Sequence, residues 1–429
     1  MIAQPLLILV ALIALAVPIA ASLGWLGLAL QHLESPMPLH RALGDMVWQT
    51  GNDFLLVAIP MFILLGEILL RAGITERMYD GMVKWLSWLP GGLMHSNIGS
   101  SALFAATSGS SVATAATIGT VAIPQVKVRG YNEPLFLGTI AAGGTLGILI
   151  PPSINLILYG LLTDTSVPEL YLAGFIPGFL LALLFMLTVV ILCRLRPAWS
   201  GETVKVSWSN RFHALPSLIP PIGIFLVIVG SIYAGIATPT EAASLGVVAA
   251  MILAAFNRKL TLPMIRAAVE GTMRTTSMIM LIILAAVFLN FVLSVIGLTQ
   301  ALADFVTSLS LAPFQTMLII VGILVILGCF METLSMLLVT APLVTPIVVA
   351  LGYDSVWFGI LLMVLLETAL ITPPIGINLY VVQGVRQRGE MLDVMKGAAP
   401  FVMTMFAMVA FLLAFPQIAL WLPSLVYGY

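Results

Sequence analysis

Two short runs concentrate oxygen-bearing side chains in an otherwise apolar chain. Residues 107 to 119, TSGSSVATAATIG, bring Ser108, Ser110, Ser111 and Thr114 together without a charge, and residues 329 to 335, CFMETLS, bring Glu332, Thr333 and Ser335. Each run has a companion downstream, the double prolines Pro151-Pro152 and Pro373-Pro374. Proline has no N–H and its ring clashes with the preceding turn, so a helix interrupted there leaves carbonyls near residues 147–150 and 369–372 without partners. Hydroxyl, carboxylate and free carbonyl oxygens in that combination suit a hard cation, and sodium (Na+) is the economical choice. One candidate site combines Ser108, Ser110 and Ser111 with Gly147, Ile150 and Pro152; the other combines Gly328, Glu332 and Thr333 with Ala369, Thr372 and Pro374. Around them stand Thr114, Ser153, Asn155, Ser335, Glu367, Gly376 and Asn378, placed to face a substrate or to brace the ion sites. A plainer reading is that the Ser, Thr and Gly residues permit close helix packing and bond back to carbonyls.

No Lys or Arg falls within the apolar interior, so an anionic substrate has to meet helix N-termini, where free N–H groups favour negative charge. Segments that begin after Ser111, Pro152, Thr333 and Pro374 offer such ends. Glu367 is a candidate coupling residue, because carboxylates in apolar segments are costly and often functional. Glu67 and Glu241 read as structural partners. His32, His40, His95 and His213 fall near the ends of apolar runs, where solvated histidines are expected. Cys193 and Cys329 have no pairing or metal spacing. No nucleophile with its base, P-loop or metal–histidine motif occurs, so the chain is not read as an enzyme.

The elements that position these residues follow from composition. Of 429 residues, 61% are apolar and 8% charged, and the net charge is −1, which describes a polytopic protein of the lipid bilayer with no nucleic-acid footprint. Its apolar stretches lack the alternation of a lipid-facing strand, so the fold class is all-α. Spans are expected near 4–30, 53–71, 134–163, 168–193, 213–234, 239–256, 275–296, 356–385 and 398–421. Residues 92–127 and 312–350 are apolar but interrupted halfway, and each reads as a re-entrant helical hairpin. The stretches 75–90 and 261–276 are basic and partly apolar, which suits helices lying along the interface.

Charge supports this path. With both hairpins re-entrant, the loops 71–90, 127–133, 194–212, 257–274 and 386–397 share one face and hold sixteen of the seventeen basic residues, with only Arg41 opposite. The positive-inside rule makes that face cytoplasmic and the C-terminus periplasmic. A shift of about 222 residues also aligns the halves: Pro124, Gly130 and Tyr131 fall on Pro346, Gly352 and Tyr353, and LIPPSIN (149–155) on ITPPIGIN (371–378) with one extra residue. At nearly the same shift Gly73 and Thr75 meet Gly297 and Thr299, and Gly174 and Pro177 meet Gly397 and Pro400. An odd number of crossings between mates makes the repeat inverted, the architecture of secondary transporters with broken helices. Four regions follow: 1–91, scaffold spans and an arm helix; 92–193, hairpin 92–127, broken helix 134–163 and span 168–193; 194–311, central scaffold and a second arm helix; and 312–429, hairpin 312–350, broken helix 356–385 and span 398–421.

The motifs SGSSVATAATIG, IPQVKVRGY, LGILIPPSINLILYG, ITPPIGINLYV and the closing FPQIALWLPSL resemble the large membrane subunit of tripartite ATP-independent periplasmic (TRAP) transporters, over essentially the full chain. The resemblance implies sodium-driven import of an organic anion, sialic acid or another carboxylate, by an elevator mechanism in the bacterial inner membrane. It implies delivery by a periplasmic substrate-binding protein and a separate small membrane subunit of four helices, with no fused span expected before residue 1. A self-sufficient sodium/carboxylate or proton/anion carrier shares the same architecture and is the alternative.

Overall fold

The computed structural model describes residues 17–202, 206–298, 300, 301, 304 and 311–428, together with Pro5, Ile8, Leu9, Ala11, Leu12 and Leu15. Part of the first expected span, Lys205 and Thr299 lie outside the described residues. Among those described, the helices in chain order are α1 (Ile19–Glu34), α2 (Leu43–Gly51), α3 (Ala58–Arg71), α4 (Ile74–Leu86), α5 (Leu93–Ser108), α6 (Ser111–Ala122) and α7 (Pro124–Val128). They continue with α8 (Glu133–Leu149), α9 (Ile154–Thr163), α10 (Val167–Leu195), α11 (Trp208–Phe212), α12 (Ile219–Tyr233), α13 (Pro239–Phe256) and α14 (Leu262–Val295). The last six are α15 (Pro313–Gly328), α16 (Thr333–Ala350), α17 (Ser355–Ile371), α18 (Ile377–Arg386), α19 (Met391–Ala414) and α20 (Gln417–Tyr427). Extended backbone pairs at one isolated antiparallel bridge, Tyr131 with Ser200.

Among the described residues six helices are long and apolar enough to cross a bilayer, or up to eight if two bent pairs each count as one. Their surfaces fit lipid. In α10 only 33% of the most apolar window is buried, and Phe179, Leu183, Leu187 and Ile191 stand exposed in a stripe of four-residue steps, one face of a helix left apolar toward the solvent it meets. Two helices contrast with this: α8 is buried at every residue from 135 to 149, and α17 from 356 to 371. They pack against each other at the centre, with α5, α6, α10 and α19 around them. The other side is built by α1, α3, α12, α13 and α14.

The repeat is written in backbone punctuation. Gly73 and Gly297 are both left-handed, at φ +67° and +75°, and so are Gly130 and Gly352, at +65° and +90°. Ser110 and Glu332, 222 residues apart, are the N-caps of α6 and α16; Asn132 and Asp354, at the same spacing, are the N-caps of α8 and α17. The helices α8 and α17 have 17 residues each, and α9 and α18 have 10 each. Even the non-glycine residues that end α9 and α18 in the left-handed region, Asp164 and Gln387, correspond. Side chains that satisfy the free N–H groups of a helix start are the local reason these helices begin where they do.

Contacts gather the five basic segments at one end of the molecule. Leu93 N–H donates to the Tyr131 hydroxyl at 3.0 Å, so the pair α5–α6 starts and finishes at one place. Gly91 N–H donates to Ser200 Oγ, Arg77 to Asn257 Oδ1, and Arg386 pairs with Glu133. Arg386, with a side chain 4% exposed, also pairs with Asp393 at 2.9 Å and donates to the Glu390 carbonyl.

Three expectations change. The stretch 261–276 is not a separate arm: it runs into the span as one 34-residue helix, α14, because no proline follows Pro263 at its first turn and Thr275, Thr276 and Ser277 cost a helix interior only a fraction of a kcal/mol each, about 0.7 at most. Its counterpart at 75–90 is a helix of its own, α4, set off from α3 by left-handed Gly73. The span expected at 398–421 is two helices, since Phe415 leaves the helical region (φ −134°, ψ 76°) just before Pro416, whose ring disfavours a helical residue in front of it. His95 is fully buried, with Nε2 at 2.8 Å from the Pro90 carbonyl, and is not a solvated residue.

The N-terminal turns of α8 and α19 approach backbone to backbone. A Cβ on Gly397 would collide with the Pro134 carbonyl, and one on Gly138 with the Gly397 carbonyl. Gly397→Ala is therefore expected to destabilise the detergent-solubilised chain by about 1–3 kcal/mol. Gly223→Ala, inside α12 where an added Cβ meets nothing within 4 Å, is expected to be neutral or to stabilise by up to about 1 kcal/mol. Equal melting temperatures for the two variants would show that this contact does not hold the centre together.

Candidate functional site

The first tip is made by two residues. Gly109, left-handed at φ +60°, ends α5, and Ser110 caps α6 by accepting the Ala113 N–H at 3.4 Å. A Cβ on Gly109 would lie 2.9 Å from the Pro152 carbonyl oxygen, and one on Gly147 would lie 2.7 Å from the Ser110 carbonyl carbon. Two glycines thus let the tip backbone lie directly on the break between α8 and α9. Ser111 Oγ secures it by donating to the Thr145 carbonyl at 3.1 Å. Thr114 Oγ1 donates to the Ser110 carbonyl at 2.7 Å and sits 3.2 Å from Ser108 Oγ.

The second tip uses a carboxylate where the first uses a hydroxyl. Glu332 caps α16, accepting the Ser335 N–H at 3.1 Å, the Ser335 hydroxyl at 3.2 Å and the Thr333 hydroxyl at 3.0 Å. Its charge faces the positive end of the helix it caps. Gly328, at the end of α15, faces Ala369, where an added Cβ would lie 2.8 Å from the alanine Cβ.

Both tips line one open cavity of about 390 Å³. Ser108, Ser110 and Ser111 come from the first tip, Glu332 and Thr333 from the second, Asn155 from α9, and Ile63, Gly66, Glu67 and Thr275 from α3 and α14. The cavity therefore lies where the two tips, the first break and the outer helices meet. No Lys or Arg is among its described lining residues.

The remaining candidates divide. Gly147 and Pro152 touch the first tip without lining the cavity; Ile150 packs beside Gly178, and buried Ser153 Oγ has no hydrogen-bond partner among the described residues. Thr372, Pro374 and Gly376 also lie outside the cavity lining. Pro151 and Pro152 are buried, whereas Pro373 and Pro374 are exposed, so the two breaks differ in access. Thr372 Oγ1 donates back to the Thr368 carbonyl at 2.6 Å. Gly376, left-handed at φ +53°, takes up the extra residue of the second break. Asn378 does not brace its own break: its Nδ2 donates to the Ala141 carbonyl of α8 at 3.1 Å. Glu367 is fully buried beside the Leu149 amide, and neither carboxyl oxygen has a hydrogen-bond partner of good geometry among the described residues.

Thr117, Thr275 and Gly66 line the cavity without having been singled out in the sequence. Glu67, read as a structural partner, does pair with Arg71 one turn away and also faces the cavity. Its signal was an acid amid apolar residues, but sequence could not show which neighbour it faced. Glu241 has the structural role expected of it, completing a capping box with Thr238.

Residues 6–418 match the family described as tripartite ATP-independent periplasmic transporter, DctM component. The chain is 32% identical to the C4-dicarboxylate TRAP transporter large permease protein DctM of Vibrio cholerae, over 98% of this chain and 97% of that one. It is 33% identical, over 96% of each, to the sialic acid TRAP transporter large permease protein SiaM of the same organism. The crystal structure of the Alcanivorax borkumensis YdaH transporter superposes with a TM-score of 0.60 at 15% identity and 99% coverage of both chains, a likeness of fold. The fold, the paired tips and these full-length matches identify a multi-pass membrane transporter component, not an enzyme, and the chain belongs to the DctM family of tripartite ATP-independent periplasmic transporters.

Proposed function

We propose that this chain is the translocating subunit of a sodium-coupled importer of an organic anion. It receives its substrate from a periplasmic binding protein and works with a small four-helix membrane subunit in the bacterial inner membrane. The observation that carries the reading is the shared cavity, where two helix-capping tips from the two halves meet beside a broken central helix. The pairs α5–α6 and α15–α16 are the two re-entrant hairpins, and the copies are inverted across the membrane. The meeting of Leu93 with Tyr131 supports the first hairpin, because its two ends lie together. The clustering of the basic segments supports a single cytoplasmic face, which puts the C-terminus outside.

Sodium is the coupling ion in this reading. Ser108, Ser110 and Ser111 with Gly147, Ile150 and Pro152 form one site, and Gly328, Glu332 and Thr333 with Ala369, Thr372 and Pro374 the other. An anion between the tips would meet the N-termini of α6 and α16, since lysine and arginine are absent from the lining. The inner helices move against α3 and α14 in an elevator motion. The substrate is a carboxylate; the relatives compared above are named for two different ones, a C4-dicarboxylate and sialic acid, at nearly equal identity.

Uptake into proteoliposomes that hold both membrane subunits is expected to require an inward sodium gradient and the binding protein. Uptake without sodium would sink the coupling, and uptake of free substrate without the binding protein would favour a self-sufficient carrier. At Ser110 capping and ion binding can be separated. Ser110→Ala removes a cap worth about 1 kcal/mol, whereas Ser110→Gly costs only a few tenths. If the hydroxyl serves sodium, both variants weaken sodium activation alike; weakening by alanine alone would mark Ser110 as a cap and nothing more. Thr372→Val should raise the sodium concentration for half-maximal uptake several-fold while leaving the melting temperature nearly unchanged, and unaltered sodium activation would remove Thr372 from the site.

A further inference from the structure

A second cavity, of about 200 Å³, lies far in sequence from both tips. Its lining comes from the start of α4 (Ile74, Arg77), the approach to α12 (Pro216, Ser217) and the end of α13 (Phe256, Asn257). Three apolar helices end or begin here. Asn257 Nδ2 reaches the Ala72 carbonyl just past α3, which fixes the ends of α3 and α13 at one level. That level is the rim of the apolar belt, where a bilayer gives way to headgroups.

Arg77 is exposed, and its one hydrogen bond among the described residues is to a neutral acceptor, Asn257 Oδ1, at 2.9 Å. No carboxylate among the described residues pairs with it, in contrast to Arg71, Arg266, Arg386 and Arg388. A guanidinium has five N–H donors, so most of the donors of this cavity-lining arginine are left without a partner among the described residues. Arg258 and Lys259 follow Asn257 directly and are exposed. Beside this cationic rim the wall is apolar and open outward: Phe256 is 81% exposed, and Ile252, Ile219 and Ile222 are exposed along the adjoining helices. A polar, cationic mouth on an apolar wall is complementary to one kind of occupant, a phosphate at headgroup depth with acyl chains running along the helices.

We propose that this cavity binds the headgroup of an anionic phospholipid, with Arg77 on the phosphate and Ser217 and Asn257 on the polar atoms beside it. The bound lipid seals the junction of α4 with α12 and α13. A free phosphate would share the headgroup chemistry but not the apolar wall.

Native mass spectrometry of the full chain, released from detergent with phosphatidylglycerol or phosphatidylethanolamine, tests this. The wild-type chain is expected to retain phosphatidylglycerol in preference, and Arg77→Gln to weaken retention about fivefold, the effect of one basic residue at an anionic membrane surface. Arg77→Lys should keep most of the preference, and Arg266→Gln, which removes an exposed arginine already paired with Glu270, should change nothing. Melting temperatures separate a misfolded Arg77→Gln from a folded one; if it is misfolded, Ser217→Phe, which fills the cavity and keeps the charge, must give the loss instead. Equal retention of the two lipids, or retention unchanged in Arg77→Gln or in Ser217→Phe, would overturn the proposal. So would displacement by inorganic phosphate without any lipid preference, or loss of the lipid when the small membrane subunit is bound, which would make the cavity a protein interface.

Discussion

A backbone carbonyl or amide without a partner is costly inside a membrane protein, and this chain breaks central helices at the double prolines. Much of its architecture answers that constraint. At the first break another backbone is brought into contact, and Gly109 and Gly147 are the residues that permit it. Any side chain at either position would push the tip of α5–α6 off α8 and α9. The hydroxyl of Ser111 then spans the gap to the Thr145 carbonyl, so the tip is both close and oriented. Glycine is expensive inside apolar helices, and its presence here follows from the packing.

The two halves solve the same problem unequally. Helix lengths, caps and left-handed residues repeat closely, yet Pro151-Pro152 is buried and Pro373-Pro374 exposed. The extra residue at Gly376 and the turn of Asn378 toward α8 belong to this difference. Asn378 spends its amide on the other half, tying the second broken helix to the first. A structure with exact internal symmetry would present two equivalent openings; this one has one buried break and one open break.

Sequence carried the punctuation well and the long-range partners poorly. Ser110 and Glu332 were legible as tips, and the double prolines as breaks, because proline and capping residues act locally and their physics is the same in any fold. Arg386 is a different case: a basic residue in a basic loop reads as solvated, and only the fold brings Glu133, 253 residues away, to its guanidinium. Glu67 faces the cavity for reasons set by where α3 lies, and His95 is buried by packing that no window of sequence contains. The joining of 261–276 to the following span was misread because a change in polarity is not a helix breaker.

The Arg386 cluster and the Gly138–Gly397 contact act together on the start of α8. A buried ion pair is weak support for stability by itself, since desolvating both charges offsets much of their attraction. Its value is in register: Arg386 engages Glu133 and Asp393 from two other helices only when α8, α18 and α19 are correctly aligned. The glycine contact imposes the same alignment by shape, because α8 and α19 approach this closely only where both lack a side chain. At the other end of α8, Gly174, the repeat mate of Gly397, leaves room for the Leu149 carbonyl at the start of the break. The same small residue from each half therefore grips opposite ends of one buried helix, and that helix carries the break on which the first tip rests.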